Sequence, residues 1–251
     1  MTRIILSGVN GRMGKAIEGL CEASNDFEIC AGVDVSLGIA HRFPTVEKPF
    51  AIIENADAII DFSHHSATET LLSYAIAKKL PIVISTTGHT EEEMAIIVEA
   101  SKKIAVFKSA NMSIGINLMI ELAKKAAVTL RNFDIEIVEK HHNQKLDAPS
   151  GTALMIADSI CERLENQLDY KYDRTKDHKK REKNEIGIHS VRGGNIVGDH
   201  DAIFAGPNEI LTISHNALSR EVFASGALRA AEFIKEKPAG MYSMADLVKE
   251  Q

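Results

Sequence analysis

The chain has 251 residues, of which 45% are hydrophobic and 25% charged, and it carries a formal net charge of −6. Such a length holds one large domain or two small ones that each bury a core, and no apolar run is long enough to cross a membrane. The acidic balance argues against a nucleic-acid partner drawn by a global positive field, so any anionic substrate must be attracted locally.

The first apolar run, Ile4-Ile5-Leu6, is broken at once by Ser7 and Gly8, unlike an export leader, and the chain is expected in the cytoplasm. Short β-rich runs lie at Ile4 to Leu6, Ile29 to Val33, Ala58 to Ile60, Ile82 to Ile84 and Ile104 to Phe107, each bounded by turn residues as buried parallel strands are. Helical stretches at Gly14 to Ala23, Ala67 to Lys79 and Glu91 to Lys103 separate them. This alternation predicts an α/β, Rossmann-like doubly wound parallel sheet. Cys21, Cys30 and Cys161 are odd in number, widely spaced and set among apolar residues, as reduced core thiols are.

Gly8-Val9-Asn10-Gly11-Arg12-Met13-Gly14 directly follows the first predicted strand and opens the first helix. In that context a glycine loop brings backbone amides to a pyrophosphate. The spacing is GxxGxxG rather than GxGxxG and is weak evidence alone, although Gly11 still permits close approach and Arg12 adds positive charge. Asp34 ends the second strand, where a carboxylate either accepts hydrogen bonds from ribose hydroxyls or merely caps a turn. As a ribose acceptor it repels a 2'-phosphate and favours NADH. Val35 and Ser36 supply no arginine, but Arg12 and Arg42 are cations available to a phosphate, so NADH and NADPH both stay open.

The helical run from Ile114 to Thr129 leads into Phe133 to Val138, where Phe133, Ile135 and Ile137 alternate with Asp134 and Glu136 as in a half-exposed strand. A helix is expected at 151 to 165. After it the pattern turns antiparallel, with Gly193-Gly194 and Gly206-Pro207-Asn208 separating strand-like runs near 186 to 192, 195 to 205 and 209 to 215. One open sheet with a single helix-covered face is the natural arrangement. Residues 165 to 185, with Lys179-Lys180-Arg181 beside many acids, suit a solvated helix end and loop. A last helix runs from Arg220 to Lys235.

The densest chemistry lies between Glu139 and Ala153. His141, His142 and Lys145 are all donors, which suits a negatively charged substrate. Pro149 stops what precedes it, and Ser150 is a good N-cap for a helix carrying Ala153, Leu154, Ala157 and Ile160. The amides of Gly151 and Thr152 then face a bound anion, and Gly151 lets a carboxylate come close. The spacing of His141 and Lys145 fits one helix face, but the segment follows a strand and is equally a loop. The paired histidines lack a third ligand at metal spacing, so no metal is expected.

The run from His141-His142 through Lys145 to Asp147-Ala148-Pro149-Ser150-Gly151-Thr152-Ala153 closely resembles the motif of the 4-hydroxy-tetrahydrodipicolinate reductases of bacterial lysine biosynthesis. Similar segments flank it in order: GVNGRMG at 8 to 14, DFS at 61 to 63, STTG at 85 to 88, SANMSIGIN at 109 to 117 and VRGGNIVGDH at 191 to 200. The resemblance implies NAD(P)H-dependent reduction of a small cyclic dicarboxylate with loss of water. It makes His141 the general acid or base, Lys145 its partner donor, and His142, Gly151 and Thr152 substrate contacts. It also implies that Ser85, Thr86, Thr87, Ser109, Ala110, Asn111 and Met112 line the nicotinamide side of a cofactor crevice. Residues 1–112 with 220–251 would then bind the dinucleotide, and 113–219 the substrate, in a homotetramer joined through the second, mixed α+β sheet.

Two other readings compete. Another two-domain nicotinamide dehydrogenase leaves the donor-rich motif unexplained. A non-enzymatic nicotinamide redox sensor has no use for His141 and Lys145.

Overall fold

The structure is a computed structural model that describes residues 1–165, 168–175 and 178–250. The chain folds as two compact units, Met1–Ile114 with Arg220–Gln251, and Gly115–Ser219.

The first unit begins with β1 (Thr2–Ser7), α1 (Arg12–Glu22), β2 (Phe27–Val33), β3 (Thr45–Val46), β4 (Ala58–Asp61), α2 (Thr68–Lys78), β5 (Ile82–Ile84), α3 (Glu91–Ser101) and β6 (Ala105–Lys108). The five expected strands are present. β3, with two residues, is too short to leave a sequence pattern. Strand side chains alternate between two cores: Ile4, Leu6, Ile60 and Phe107 pack on one face, Ile5, Ile59, Ile84 and Val106 on the other. A sheet covered on both faces has no polar side, which is why its strands read as continuous apolar runs. Full burial of each such side chain is worth about 1.5–3 kcal/mol. Thr90 and Glu93 close a reciprocal capping box at the start of α3, satisfying helix amides that the core cannot reach.

The second unit runs through α4 (Ile114–Thr129), β7 (Asp134–His141), α5 (Gly151–Arg163), β8 (Asp169–Lys171), β9 (Glu185–Arg192), β10 (Gly198–Ala205) and β11 (Ile210–Ala217). Its sheet has the order β11-β10-β7-β9-β8. β10 is antiparallel to both neighbours, while β7, β9 and β8 are mutually parallel. This corrects the expectation of an antiparallel series after α5. The Gly193-Gly194 turn does not close a hairpin, because β9 and β10 lie on opposite sides of β7. Ile116, Ile120, Ile156, Ile160, Ile137 and Phe204 fill the core between helices and sheet.

Of the stretch expected as a solvated helix end and loop, residues 166, 167, 176 and 177 lie outside the described residues. The rest includes the edge strand β8 and two arginines that return to the sheet: Arg174 and Arg181 both bond Oε1 of Glu136 on β7, at 3.2 and 3.0 Å.

The chain re-enters the first unit with α6 (Glu221–Ile234), β12 (Gly240–Tyr242) and α7 (Met244–Glu250). β12 completes a seven-stranded sheet of order β12-β6-β5-β4-β1-β2-β3, parallel throughout. The order reverses beside β1, whose neighbours are β2 and β4, and a crevice at the strand carboxyl ends opens at such a switch point. Gly8 occupies that point with φ +80, where an added Cβ would lie 2.6 Å from the carbonyl oxygen of Phe62.

Candidate active site

A cavity of about 640 Å³ opens at the switch point of the first unit. Of the residues expected to hold a dinucleotide, Gly8, Asn10, Gly11 and Asp34 line it. Gly11 is the N-cap of α1 and carries no side chain to obstruct the helix start. The Asp34 carboxylate is held from two sides: Oδ2 accepts from the Asn10 amide and Oδ1 from the Ser36 amide, both at 3.0 Å. Asn10 in turn donates to the Ser36 carbonyl at 2.5 Å and meets His41 Nε2 at 2.9 Å, while His41 Nδ1 lies 3.1 Å from Glu18. The nearly buried His41 thus ties α1 to the loop that carries Asp34. No local pattern reports this link, because its members are far apart in sequence.

Val9, Arg12 and Met13 belong to the same loop but do not line the cavity; Val9 is buried in the core and Arg12 is exposed at the start of α1. Arg42 points elsewhere, 3.4 Å from Glu22 beside a different cavity, so the structure does not bring it to the nucleotide. A cation that the sequence reading missed, Lys48, does line the large cavity. It follows β3, which pairs Val46 with Val33 and so runs alongside Asp34 and Val35.

Ser85, Thr86 and Thr87 follow β5, and Ser109, Ala110, Asn111 and Met112 follow β6, outside the lining of this cavity. Thr86 Oγ1 donates to the fully buried Asp61 at 2.9 Å, and Ser63 Oγ donates to its other oxygen at 2.6 Å. Ser109 Oγ donates to the Asn111 carbonyl at 2.8 Å, and Met112 is buried. Ser85 Oγ is buried without a hydrogen-bond partner among the described residues, and a buried hydroxyl of that kind is suited to a ligand's polar group. The open glycine loop, the oriented Asp34 and this hydroxyl fit a nicotinamide dinucleotide.

The donor-rich segment lies in the second unit. β7 extends three residues past the expected Val138, so His141 sits on a strand and Lys145 in the turn beyond it rather than on a shared helix face. Alternation along β7 turns Ile135, Ile137, Glu139 and His141 inward. The Glu139 side chain is fully buried, and an ion with no access to water is tolerated only with several donors around it. Its Oε2 accepts from His141 Nδ1 at 2.6 Å and from Arg192 Nη1 at 2.8 Å. Its Oε1 accepts from Arg192 Nη2 at 2.6 Å and from the Ser150 amide at 3.1 Å. Burial works to raise the Glu139 pKa, but hydrogen bonds from Arg192, His141 and Ser190 outweigh it and bring the carboxyl down to about 2. Glu139 is therefore an anion at neutral pH.

Ser150 caps α5 as expected, accepting from the Ala153 amide at 3.2 Å, and its hydroxyl meets His200 Nε2 at 3.1 Å. Burial, with the neighbouring His141, pushes the His200 pKa down to about 4, so this ring is neutral at physiological pH. Gly151 and Thr152 open the first turn of α5, and an added Cβ at Gly151 would meet nothing within 4 Å among the described residues. Lys145 Nζ lies 2.9 Å from Asp147, an exposed carboxylate. Such a pair is worth about 0–1 kcal/mol and yields readily to a better anion. His142 follows β7, its carbonyl accepting from the Lys145 amide at 3.2 Å.

Sequence reasoning missed Glu139, Arg192 and His200. Glu139 had a signal: two apolar inward positions followed by a carboxylate and an imidazole at the same period-2 spacing. Arg192 and His200 come from other strands and show no such periodicity; their signal is the VRGGNIVGDH segment at 191 to 200, which carries the resemblance without assigning a role to either residue.

Comparison with known proteins finds one family along nearly the whole chain. The family model described as the N-terminus of dihydrodipicolinate reductase matches residues 2–112, and that for its C-terminus matches 115–248. A 4-hydroxy-tetrahydrodipicolinate reductase of Caldanaerobacter subterraneus subsp. tengcongensis is 54% identical over 249 residues, covering 99% of each chain. One from Clostridium tetani is 53% identical over 245 residues, 97% of this chain and 96% of the relative. Among solved structures, a dipicolinate-bound dihydrodipicolinate reductase from Paenisporosarcina sp. TG-14 superposes with a TM-score of 0.82 at 25% identity, covering 97% of each chain.

Proposed function

The chain belongs to the dihydrodipicolinate reductase family, and from that membership we infer which of its residues carry the reaction. It is an NAD(P)H-dependent oxidoreductase that converts 4-hydroxy-tetrahydrodipicolinate, with loss of water, to tetrahydrodipicolinate in the diaminopimelate route to lysine. The dihydronicotinamide supplies the hydride. The protein's own groups hold the substrate and move protons.

His141 and Lys145 are the proton donors. Loss of water needs a proton on the departing oxygen, and a cyclic imine accepts hydride more readily as protonation draws electron density from it. Lys145 leaves its weak pair with Asp147 to meet a substrate carboxylate or the developing charge. His142, Gly151 and Thr152 contact the carboxylates, the last two through the start of α5. The observation that carries this reading is the open first turn of that helix. No described residue crowds Gly151, and the Ser150 cap is joined through Glu139 to the strand end that bears His141.

The first unit, together with the returning stretch from Arg220, is the dinucleotide-binding domain. Gly8, Asn10 and Gly11 serve the pyrophosphate directly, with Val9, Arg12 and Met13 contributing as the rest of the same loop, Asp34 serves the ribose, and the segments 85–87 and 109–112 the nicotinamide side. Residues 113–219 form the substrate and tetramerisation domain. Exposed apolar side chains on the second sheet, Ile210, Leu211 and Val191, support its use as an interface in a homotetramer. Among the described residues no helix is long and apolar enough to cross a membrane. The cytoplasm, where reduced nicotinamide nucleotides are supplied, is the compartment that suits this chemistry.

Lys145→Ala tests the assignment. Turnover is expected to fall about 10²-fold, while NADH binding, followed by nucleotide fluorescence, stays at the wild-type level. Unchanged turnover removes Lys145 from the mechanism.

A further inference from the structure

We propose that Glu139 is a positioning residue that fixes His141 in its Nδ1–H tautomer, so that Nε2 is the atom that exchanges a proton with the substrate. The inference rests on the role assigned to His141 above and says how that role is set.

Glu139 is ringed by donors that have no alternative. Arg192 approaches with both terminal nitrogens, at 2.8 Å to Oε2 and 2.6 Å to Oε1, and a guanidinium is always protonated. The Ser150 amide, 3.1 Å from Oε1, can only donate. Ser190 also bonds the carboxylate, and its hydroxyl and the imidazole are groups that can donate or accept. Against an ionised carboxylate both must donate, so a 2.6 Å contact between Nδ1 and Oε2 requires the proton on Nδ1. The ring is also held from its sides. His200 packs against it edge to face at 5.2 Å between centroids, and a Cβ added at Gly198 would stand 3.0 Å from Nε2, so glycine keeps that nitrogen clear. Because the same carboxylate anchors the N-cap amide of α5, it sets the proton donor and the proposed carboxylate cradle from one fixed point.

Glu139→Gln keeps shape and removes one acceptor. Arg192 donates at both positions, so Ser150 decides: its amide can only donate, and it places the amide oxygen at the Oε1 position. The NH₂ group then faces Nδ1 and favours the opposite tautomer, with the proton on Nε2. We expect long-range ¹H–¹⁵N spectra of ¹⁵N-histidine-labelled protein to show wild-type neutral His141 as Nδ1–H and the variant mainly as Nε2–H. The variant's kcat should fall roughly 10²-fold, with substrate KM changed by less than about threefold. A wild-type spectrum showing Nε2–H overturns the proposal, and this needs no variant that folds. Wild-type kcat in Glu139→Gln, alongside an inactive His141→Asn, also overturns it while leaving His141 in its role. An active His141→Asn instead removes the reading on which the proposal rests.

Discussion

His141→Asn is expected to lower kcat by about 10²–10⁴-fold, the range that a positioned general acid supplies, with NADH affinity unchanged. Asparagine is chosen because its amide nitrogen falls near the position of Nδ1. The contact to Glu139 is thereby preserved, and no buried carboxylate loses a donor. What disappears is Nε2, together with any group able to deliver a proton at that place. Histidine suits this work because its charge changes within the physiological range, whereas an amide does not titrate there at all. Steady-state turnover, paired with nucleotide titration and a thermal melt, separates lost chemistry from lost folding. Turnover within a few-fold of wild type, in a folded variant that binds nucleotide, contradicts the assignment.

Gly14→Ala is expected to abolish useful dinucleotide binding, raising the Kd for both NADH and NADPH by on the order of 10²-fold, as a misplacement of about 1 Å in a positioned site does. An added Cβ would lie 2.3 Å from the carbonyl oxygen of Val9 and 2.4 Å from that of Gly8. Both are backbone atoms of the loop that lines the cavity, so α1 or the loop must move to make room. Overpacking of this kind costs about 1–3 kcal/mol in stability. Gly19 on the same helix is the control, because an added methyl there meets nothing within 4 Å among the described residues. Gly19→Ala should bind nucleotide normally and gain up to about 1 kcal/mol from better helix propensity. Titration of both variants by nucleotide fluorescence decides the matter, and equal, wild-type affinities mean that close helix packing at Gly14 is not what shapes the loop.

Much of the fold was legible because its signals are local. Five strands of the first sheet are buried on both faces and so announce themselves as unbroken apolar runs, and the glycine loop between β1 and α1 marks the switch point. β3 and β12, with two and three residues, are too short to leave a pattern, and their pairing is set by neighbours distant in sequence. The second sheet misled at one point. A Gly-Gly pair between two strand-like runs suggests a hairpin, yet β9 pairs with β7 in parallel and leaves the turn to carry the chain past it. Which strands adjoin is a property of the packed sheet, and turn residues alone do not encode it.

The site divides in the same way. His141, Lys145 and the Ser150 cap lie within ten residues and were found together. Glu139 stood two residues from His141, but its importance depends on burial and on Arg192 from β9, which only the folded sheet brings to it. The cofactor side shows the converse: Arg42, a cation close in sequence to Asp34, turns toward Glu22, and Lys48 reaches the cavity because β3 runs beside β2.

The most direct test of the whole account is nucleotide oxidation by the purified protein, with substrate generated in place from pyruvate and aspartate semialdehyde by the preceding synthase. Rapid, synthase-dependent oxidation of NADH, NADPH or both is expected, at a kcat of about 1–10³ s⁻¹ typical of enzymes. No synthase-dependent oxidation of either nucleotide, by protein shown to bind them, contradicts it.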